Sequence, residues 1–300
     1  MKTSSRRDFF KKATLGVVTA TVMPAVVEAE VISAPEILSE SVKGANDRIR
    51  IAVLGVNGRG QTHVDEIMKI SKEYNVELAA LCDPDMDILQ KRAEKVKSKY
   101  GKNIRIEQDF RKIYDDKEID AVALATPNHW HALQTIWACQ AGKDVYVEKP
   151  ATHNIYEGRK MIEAAYKYNR IVQHGVQLRS SVAIREAIEH LKNGLIGRVY
   201  MSRGLVYRWR PNIGNKGISQ KPTGLDYDLW CGPAPMVPFT KNLVHYNWHW
   251  HWNYGNGDVG NQGIHQTDLC MWGLGVDYLP ERITSMGGKF LSLIHISEPT

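Results

Sequence analysis

The 300-residue sequence predicts an α/β domain built on a parallel sheet, followed by a second domain of different character. Three observations support this prediction. From Arg48 onward, short apolar runs alternate with helical stretches, which is the pattern of a parallel sheet. A glycine cluster stands between the first apolar run and the first helical stretch. From Gly197 the rhythm changes to one long strand-like run, Arg198–Arg210, and then to a Gly/Pro/Asn-rich passage that reaches Pro238.

The glycine cluster lies in Ile49–Gln61, which reads IRIAVLGVNGRGQ. A strand, a tight glycine turn and a helix N-terminus are how a Rossmann domain presents backbone N–H groups to a dinucleotide pyrophosphate. In the spacing G-x-G-x-x-G the three positions are Gly55, Asn57 and Gly60, so asparagine replaces the middle glycine. Asparagine tolerates left-handed backbone angles, and Gly58 beside it is expected to relieve crowding.

A second apolar strand, Val76–Cys82, is followed at once by Asp83. A glycine-rich turn alone often just connects two elements, so this acid is the corroborating signal. It stands roughly 20 residues past the glycines, where a carboxylate accepts hydrogen bonds from the ribose hydroxyls of NAD and repels the 2′-phosphate of NADP. The sequence therefore predicts a nucleotide site that takes NAD, with NADP less favoured.

The other elements follow in chain order, with 48–180 predicted as the NAD-binding Rossmann domain and 181–290 as a substrate and oligomerisation domain. Strands are predicted over Ala121–Ala125, Asp144–Val147 and Ile171–His174. Helices are predicted over Thr62–Tyr74, Asp85–Tyr100, Asp109–Asp115, His129–Ala141, Asn154–Asn169 and Ser181–Asn193.

Residues 1–29 are predicted to be a twin-arginine export signal. Ser5–Lys11 reads SRRDFFK, and a modestly apolar stretch, Ala13–Val27, leads to a small-residue site near Ala29. An amphipathic basic tail is the alternative interpretation. We expect a periplasmic or exported protein that engages the twin-arginine machinery while folded. Residues 30–47 are predicted to be a polar linker.

Charge and composition exclude several classes of function. The net charge is +6, but residues 1–29 hold five basic and two acidic residues, and the remainder carries 34 basic against 31 acidic. That balance predicts no nucleic-acid binding.

No apolar run is long enough to span a membrane as a mature helix, so no stable insertion is expected after processing. The widely spaced cysteines, Cys82, Cys139, Cys231 and Cys270, are expected to be free thiols and predict no metal.

Polar groups follow several of the predicted strands, where ligands of an open parallel sheet gather. They are Asn57 and Arg59, Asp83, Thr126-Pro127-Asn128, and Glu148-Lys149-Pro150. Lys149 stands just past an apolar strand and against a proline. Beside a cofactor cation and partly desolvated, its pKa would fall and it would take part in proton transfer. The alternative is a structural lysine, paired with Glu148 or placed at a helix terminus.

These stretches resemble the Gfo/Idh/MocA oxidoreductases, named after glucose–fructose oxidoreductase and inositol dehydrogenase. The resemblance runs from about Arg48 to about Gly288, and it is carried by the glycine turn, Asp83, ATPNHWHA (Ala125–Ala132), AGKDVYVEKP (Ala141–Pro150) and GNGDVGNQGIHQTD (Gly255–Asp268). It implies a Rossmann domain followed by an α+β, largely antiparallel open-sheet domain, which often forms a homo-oligomer. It also implies hydride transfer between NAD(P) and a sugar or polyol.

The resemblance implies roles for individual residues. Lys149 matches the catalytic lysine, His265 the catalytic histidine of the pattern D-x-G-x-H-x-x-D, and Asp268 its final acid. At the position of the first acid of that pattern, this sequence has Asn261. The catalysis would therefore depend more on Lys149 and His265. His265 and Asp268 are three apart and share one face of a helix predicted over Gly260–Trp272. A satisfied core histidine is the alternative for His265 alone.

The predicted contacts form two sets, and Lys149 and His265 are the catalytic candidates. The cofactor set is Gly55, Asn57, Gly58, Arg59, Gly60, Asp83, Thr126, Pro127, Asn128, His131, Glu148, Lys149 and Gln177. The substrate set is Arg179, Asn261, His265 and Asp268. Gln177 and Arg179 either face the nicotinamide end or simply cap a strand.

The segment His245–Tyr254 reads HYNWHWHWNY and alternates, so it predicts a strand. In a strand Trp248, Trp250 and Trp252 would share one face and the histidines the other. The tryptophans would then stack on a sugar ring or pack between the domains. Two histidines at i, i+2 without a spaced third ligand make a metal site the minority interpretation.

Three functions compete at this point. The first is an exported NAD-dependent oxidoreductase acting on a sugar or polyol hydroxyl. The second is a glycosidase that oxidises the sugar transiently, eliminates the aglycone and reduces the product again. The third is a sugar- or cofactor-sensing protein without turnover, which the presence of both Lys149 and His265 argues against.

Residues 291–300, LSLIHISEPT, are expected to be foreign to the protein, since they resemble the translation of a transposase-type sequencing adapter. The second domain would then be incomplete, and the natural protein would continue beyond about Phe290. A short genuine strand is the alternative, because Leu291, Leu293 and Ile296 are apolar.

Overall fold

The structure is a computed structural model that describes residues 48–207, 210–278 and 280–286. The predicted export signal (1–29), linker (30–47) and foreign tail (291–300) lie outside the described residues.

The first domain is a six-stranded sheet in which every neighbouring pair of strands is parallel. The strand order is β3-β2-β1-β4-β5-β6. The strands are β1 (Ile49–Leu54), β2 (Val76–Cys82), β3 (Arg105–Glu107), β4 (Ala121–Leu124), β5 (Asp144–Glu148) and β6 (Val172–Gly175). The predicted parallel sheet is therefore confirmed. The order reverses between β1 and β4, and such a switch point opens a ligand crevice at the carboxyl ends of the strands.

The α-helices match the predicted ones closely where a polar side chain caps the first turn. Asp85, Asn154 and Ser181 each accept a backbone N–H at the start of a helix that was predicted to begin with them. The helices are α1 (Arg59–Ile70), α2 (Met86–Tyr100), α3 (Arg111–Asp115), α4 (Asn128–Gln140), α5 (Ile155–Lys167), α6 (Val182–Lys192), α7 (Tyr227–Cys231) and α8 (Ile264–Leu274).

Two apolar clusters bury the two faces of the sheet. One joins β1 and β4 to α4 through residues such as Leu54, Leu124 and Ala138. The other joins β1 and β2 to α1 and α2 through Val53, Val64 and Leu89. Helices on both faces of a parallel sheet explain why its central strands are apolar without alternation.

A third cluster, which we call the aromatic cluster, belongs to the second domain. It contains Leu225, Tyr227, Trp230, Cys231, Phe239, Leu243, Trp248 and Tyr254. Two side chains at the start of α4 attach it to the Rossmann domain. A ring nitrogen of His129 lies 3.1 Å from the Trp230 carbonyl oxygen, and Trp130 Nε1 donates to the Leu229 carbonyl at 3.1 Å.

The prediction of a strand over Arg198–Arg210 is wrong for the described residues 198–207 and 210. An apolar run becomes a strand only when another strand completes its hydrogen bonds, and none of the described residues does so here. Tyr200 and Tyr207 accordingly remain 84% and 89% exposed. Within the described part of 181–286, β-pairing is limited to two isolated bridges, so these residues alone do not form the antiparallel sheet that the resemblance implied.

The prediction of a strand over His245–Tyr254 is also wrong. Asn247–Trp250 is a 3₁₀ turn, in which Trp248 and Trp250 are buried while Trp252 is 67% exposed. The three tryptophans therefore do not share a face. Local hydrogen bonds hold the turn, including Trp248 N to the Leu243 carbonyl at 2.9 Å, and the aromatic cluster buries the Trp248 ring.

In the part of the chain that the structure describes, no helix is long and apolar enough to cross a membrane. All four cysteines are free, as expected, and three of them are buried.

Candidate active site

A cavity of about 310 Å³ lies at the carboxyl ends of the strands. We call it the groove. It brings together most of the predicted cofactor residues, namely Gly55, Asn57, Gly58, Arg59, Asp83, Thr126, Pro127, Asn128, His131, Glu148 and Lys149, together with Asn261. The predicted residues that do not line it are Gly60, Gln177, Arg179, His265 and Asp268.

The second domain supplies part of the wall of the groove, which the sequence did not predict. The additional lining residues from that domain are Leu229, Trp230, His245, Tyr246, Trp248 and His249. The tryptophan–histidine alternation of this segment indicates a binding or packing surface, but the segment forms a 3₁₀ turn over Asn247–Trp250 and not the strand that the alternation predicts. The 3₁₀ turn presents His249 to the groove, His245 lines the groove just before the turn, and Trp248 also packs in the aromatic cluster.

The glycine turn at the end of β1 is shaped by close backbone contacts. Gly55 has φ 81°, and a Cβ there would lie 2.6 Å from the Ala125 carbonyl oxygen. A Cβ on Gly60 would lie 1.9 Å from the Gly55 carbonyl oxygen. Both glycines are therefore required by the approach of α1 and β4 to the turn.

The roles expected of Asn57 and Gly58 need correction. Asn57 does not adopt a positive φ, so the turn makes no use of its tolerance for left-handed angles. A Cβ on Gly58 would meet no atom within 4 Å, so Gly58 relieves no crowding. Arg92 of α2 instead holds this part of the turn, because its guanidinium donates to the Val56 carbonyl at 3.0 Å and to the Asn57 carbonyl. No motif in the sequence indicates this contact.

Asp83 lies at one end of the groove and is 6% exposed. Its two carboxylate oxygens accept the backbone N–H of Val56 at 2.9 Å and of Asp85 at 3.1 Å. Burial is the main cause that raises the pKa of Asp83 to about 6, and these two hydrogen bonds oppose it. Each oxygen retains a lone pair for a ribose hydroxyl. Beside it, His245 Nε2 lies 2.9 Å from Asp85 Oδ2, which brings a titratable group of the second domain to this end.

Glu148 organises the other end of the groove. It accepts from Arg59 Nε at 2.8 Å and from Gln177 Nε2 at 2.8 and 2.9 Å, and His63 Nε2 lies 3.0 Å away. Burial raises the pKa of Glu148, but hydrogen bonds from His63 and Arg59 outweigh it and hold that pKa at about 2. Gln177 thus reaches the site through Glu148, and Arg59 ties the glycine turn to the end of β5.

The Lys149 ammonium is held by Asn261, whereas the Lys149 backbone N–H donates to Glu148 Oε2 at 3.2 Å. Its Nζ donates to the Asn261 carbonyl oxygen at 2.7 Å and to Asn261 Oδ1 at 3.1 Å. Burial is the largest cause of a pKa below the usual lysine value, and the Arg59 and Arg210 charges add to it. The ammonium has three N–H groups, so a third remains for a ligand in the groove.

His265 stands on α8 four residues after Asn261, and its Nδ1 is buried without a hydrogen-bond partner in the described part of the chain. Burial and the nearby Lys149 charge lower the pKa of His265 from 6.5. The prediction that His265 and Asp268 lie on one helix is confirmed, although Val259–Gly263 forms a π-helical turn before α8 begins at Ile264.

Arg179 and Asp268 pair with each other. The Arg179 guanidinium donates to both Asp268 oxygens at 2.8 to 3.1 Å and lies 4.9 Å from the Trp272 ring centre. Neither lines the groove, so the structure keeps these two predicted substrate residues outside it.

His131, Thr126 and Asn128 build the loops around the groove. The His131 ring nitrogens each lie 2.7 Å from a carbonyl oxygen, one of Pro150 and one of Thr126, so the ring lies between the loops that follow β4 and β5. Burial lowers the pKa of His131. Thr126 Oγ1 donates to Gln134 Oε1 at 2.8 Å, and Asn128 Nδ2 donates to Asn256 Oδ1 at 2.7 Å.

The residues present fit a dinucleotide. The turn leaves no space for side chains at Gly55 and Gly60, and a carboxylate and an ammonium stand among the lining residues of one continuous cavity. Backbone N–H groups at the start of α1 suit a pyrophosphate. Within the described ranges, no group of three or more His, Cys, Asp or Glu side chains is arranged to hold a metal ion.

Comparison with known proteins agrees with this geometry. The NAD-binding Rossmann domain of the Gfo/Idh/MocA oxidoreductases matches residues 49–176, and the C-terminal alpha/beta domain of the same family matches residues 181–284.

Among curated relatives, a levoglucosan dehydrogenase of Pseudarthrobacter phenanthrenivorans is 36% identical over 96 residues, which are 32% of this chain and 25% of the relative. A glycosyl hydrolase family 109 protein of Shewanella baltica is 28% identical over 171 residues, which are 53% of this chain and 36% of that protein. The chain therefore spans well under half the length of these two relatives.

A solved structure of the WlbA dehydrogenase from Bordetella pertussis, in complex with NADH and UDP-GlcNAcA, has a TM-score of 0.58. It is 22% identical, and the match covers 75% of this chain and 58% of that one. This likeness shows the fold. The two family models, which match residues 49–176 and 181–284, show that the chain belongs to the Gfo/Idh/MocA family of oxidoreductases.

Proposed function

We propose that this protein is an NAD-dependent oxidoreductase that transfers hydride between the cofactor and a hydroxyl of a sugar or polyol. The observation that carries the proposal is the groove, which is lined by Asp83 at one end and by Lys149, fixed on Asn261, at the other. Asp83 supports a choice of NAD over NADP, because a buried carboxylate repels a 2′-phosphate.

We assign the following roles in the reaction to the residues of the chain. NAD, when bound, supplies the hydride acceptor or donor. Oxidation of a secondary alcohol also releases the hydroxyl proton. We assign its acceptance to His265, which does not line the groove but lies near Lys149, and whose lowered pKa keeps the ring neutral near pH 7. The Lys149 ammonium donates its third N–H to the reacting oxygen. Asn261 holds the ammonium in place and thereby orients it.

A second candidate function is glycoside cleavage by transient oxidation of the sugar. The relative from Shewanella baltica, which is named as a glycosyl hydrolase and matches over more residues than the levoglucosan dehydrogenase, favours considering it. The same base and ammonium would serve, but NADH would not accumulate. A sensing protein without turnover is the third possibility, and the presence of both Lys149 and His265 argues against it.

One experiment separates the three functions. The purified protein is incubated with NAD and either free sugars and polyols or nitrophenyl glycosides, while NADH and nitrophenol are followed together. An oxidoreductase forms NADH in proportion to product, and a glycosidase releases nitrophenol without net NADH. Binding of NAD without either product would overturn both enzymatic proposals.

We also propose that the protein is exported by the twin-arginine pathway and forms a homo-oligomer. The SRRDFFK segment supports the first proposal. Large apolar side chains of the second domain support the second, since Ile283 and Met286 are 80% and 93% exposed. A reporter fused after residue 47 should reach the periplasm, and replacing both Arg6 and Arg7 by lysine should stop it.

A further inference from the structure

A carboxylate lies close to Lys149 even though position 261, where the family pattern has an acid, holds asparagine. Asn261 receives the Lys149 ammonium on two oxygens, at 2.7 and 3.1 Å. Its Nδ2 lies 3.5 Å from Asp258 Oδ1. Hydrogen bonds therefore connect Lys149 to Asn261 and Asn261 to Asp258. The family pattern would place a carboxylate at position 261, next to the lysine, whereas here the Asp258 carboxylate reaches the lysine only through the Asn261 side chain.

The neighbours determine which way the Asn261 amide points. An ammonium only donates hydrogen bonds and an ionised carboxylate only accepts them, so the amide oxygen faces Lys149 and the amide nitrogen faces Asp258. Aspartate at position 261 would set two carboxylates against each other, and like charges at that range repel. Asparagine at position 261 is therefore compatible with the Asp258 carboxylate, whereas aspartate is not.

Arg210 fixes Asp258 from the other side. Arg210 Nη2 donates to Asp258 Oδ1 at 2.8 Å, and Nε donates to Oδ2 at 3.3 Å. The arginine is 9% exposed, and its guanidinium lies 5.4 Å from the Trp250 ring centre. A two-point contact of this kind sets the plane of the carboxylate. The pair therefore presents Asp258 to Asn261 in one orientation.

We propose that the Asp258–Arg210 pair is a positioning device for Lys149, in which Asp258 takes the place of the acid absent at position 261 and Arg210 offsets its charge. The inference rests on the proposed function in that it takes Lys149 as the catalytic lysine. Asp258 and Arg210 act through Asn261 and through their charges, and neither is assigned a contact with substrate.

The charges around Lys149 make the proposal testable. The charged and titratable groups that face it are Glu148, Arg59, Asp258, Arg210, His249 and His265. After burial, which lowers the pKa of Lys149 most, Asp258 raises that pKa and Arg210 lowers it. Removal of Asp258 should therefore lower the pKa of Lys149, and removal of Arg210 should raise it. Merely structural damage would not move the two variants in opposite directions.

The experiment measures Lys149 directly. The chain is labelled with trace isotopic acetic anhydride across a pH series, and the Lys149 peptide is quantified by mass spectrometry to obtain the midpoint of its reactivity. We expect the midpoint to fall by about 1 pH unit in Asp258→Asn and to rise by about 1 pH unit in Arg210→Met, the usual size for a charge at close range. The variant that carries both substitutions should lie between the two.

Two controls keep the result interpretable. Glu163→Gln removes an exposed ion pair with Lys160 on α5 and should leave the Lys149 midpoint unchanged. Circular dichroism and thermal unfolding identify any variant that fails to fold, and the double variant, which buries no unpaired charge, replaces it in the comparison. Midpoints that shift in the same direction in both single variants, or not at all, would overturn the proposal. Because labelling needs no substrate, an inactive protein with opposite shifts would refute the proposed function and leave this inference standing.

Discussion

At the scale of single residues, the candidate site combines groups whose pKa values are moved by burial and by close partners. Burial raises the pKa of Asp83 to about 6, whereas hydrogen bonds from His63 and Arg59 hold that of Glu148 near 2. The sequence predicted that Asp83 and Lys149 would meet at one edge, because both follow strands of one parallel sheet. It did not predict that Asn261 would hold Lys149 or that His245 would pair with Asp85 beside Asp83, since Asn261 and His245 come from distant segments.

Cofactor choice should depend on pH through Asp83. A carboxyl whose folded pKa is about 6 is ionised above that pH, where it accepts from the ribose and repels a 2′-phosphate. The preference for NAD over NADP should therefore be full above pH 7 and should shrink as the pH falls through about 6. In Asp83→Ser, NAD affinity should drop about 10- to 100-fold, because a hydrogen bond to a charged group is lost. The pH dependence of the preference for NAD over NADP should also vanish. Titration calorimetry with both cofactors measures this, and equal affinities at pH 8 in the unmodified protein would contradict it.

The two catalytic candidates should give a bell-shaped pH profile. His265 must be neutral to accept a proton, and its lowered pKa puts the acidic limb below pH 6.5. The Lys149 ammonium must be charged, and its lowered pKa puts the alkaline limb below pH 10.5. Lys149→Met and His265→Ala should each reduce kcat by about 10²- to 10⁴-fold and abolish one limb. NAD affinity should change far less in His265→Ala; undiminished turnover in both variants would remove the mechanism.

At the scale of elements, prediction succeeded where local chemistry decides the structure. Asn154 and Ser181 cap helices that were predicted to begin with them, and Gly101 ends α2 in a left-handed conformation. β3 was missed because it is three residues long and carries Arg105 and Glu107, which leaves no apolar run to detect. The described residues of the run over 198–210 are not a strand, because a strand depends on partners that a local pattern does not reveal.

Two glycines of the turn should respond differently to the same substitution, with a loss of stability at Gly60 and almost none at Gly58. In Gly60→Ala, the new Cβ would lie 1.9 Å from the Gly55 carbonyl oxygen. Because this oxygen belongs to the backbone, it cannot rotate away as a flexible side chain could. We expect a loss of about 1–3 kcal/mol in the free energy of unfolding, as for other overpacked sites, and a loss of NAD binding. Gly58→Ala is the matched control, because a Cβ there meets nothing within 4 Å. Its free energy of unfolding in urea should stay within about 0.5 kcal/mol of the unmodified protein. Equal losses in both variants would refute the crowding argument.

At the scale of the whole molecule, the second domain is attached to the Rossmann domain at two places. Asp226 N donates to the Pro84 carbonyl at 2.9 Å beside Asp83, and His129 and Trp130 hold the aromatic cluster at the start of α4. Sequence analysis predicted two domains but not these attachments. The contacts of His129 and Trp130 depend on the backbone carbonyls of residues 229 and 230, whose placement follows from the packing of the aromatic cluster and from no local motif.

These attachments predict that NAD stabilises both domains together. The groove is lined by Asp83 and Lys149 from one domain and by His245 and Trp248 from the other, so a ligand that fills it contacts both. At a concentration 100 times its Kd, NAD should raise the free energy of unfolding by about 2.7 kcal/mol. Hydrogen exchange should slow in the glycine turn and equally in residues 245–250. The Gly60→Ala variant, exposed to the same NAD concentration, provides the control and should show neither effect. Protection confined to residues 49–176 would mean that residues 245–250 do not contact the bound cofactor. That result would refute their assignment to the wall of the site.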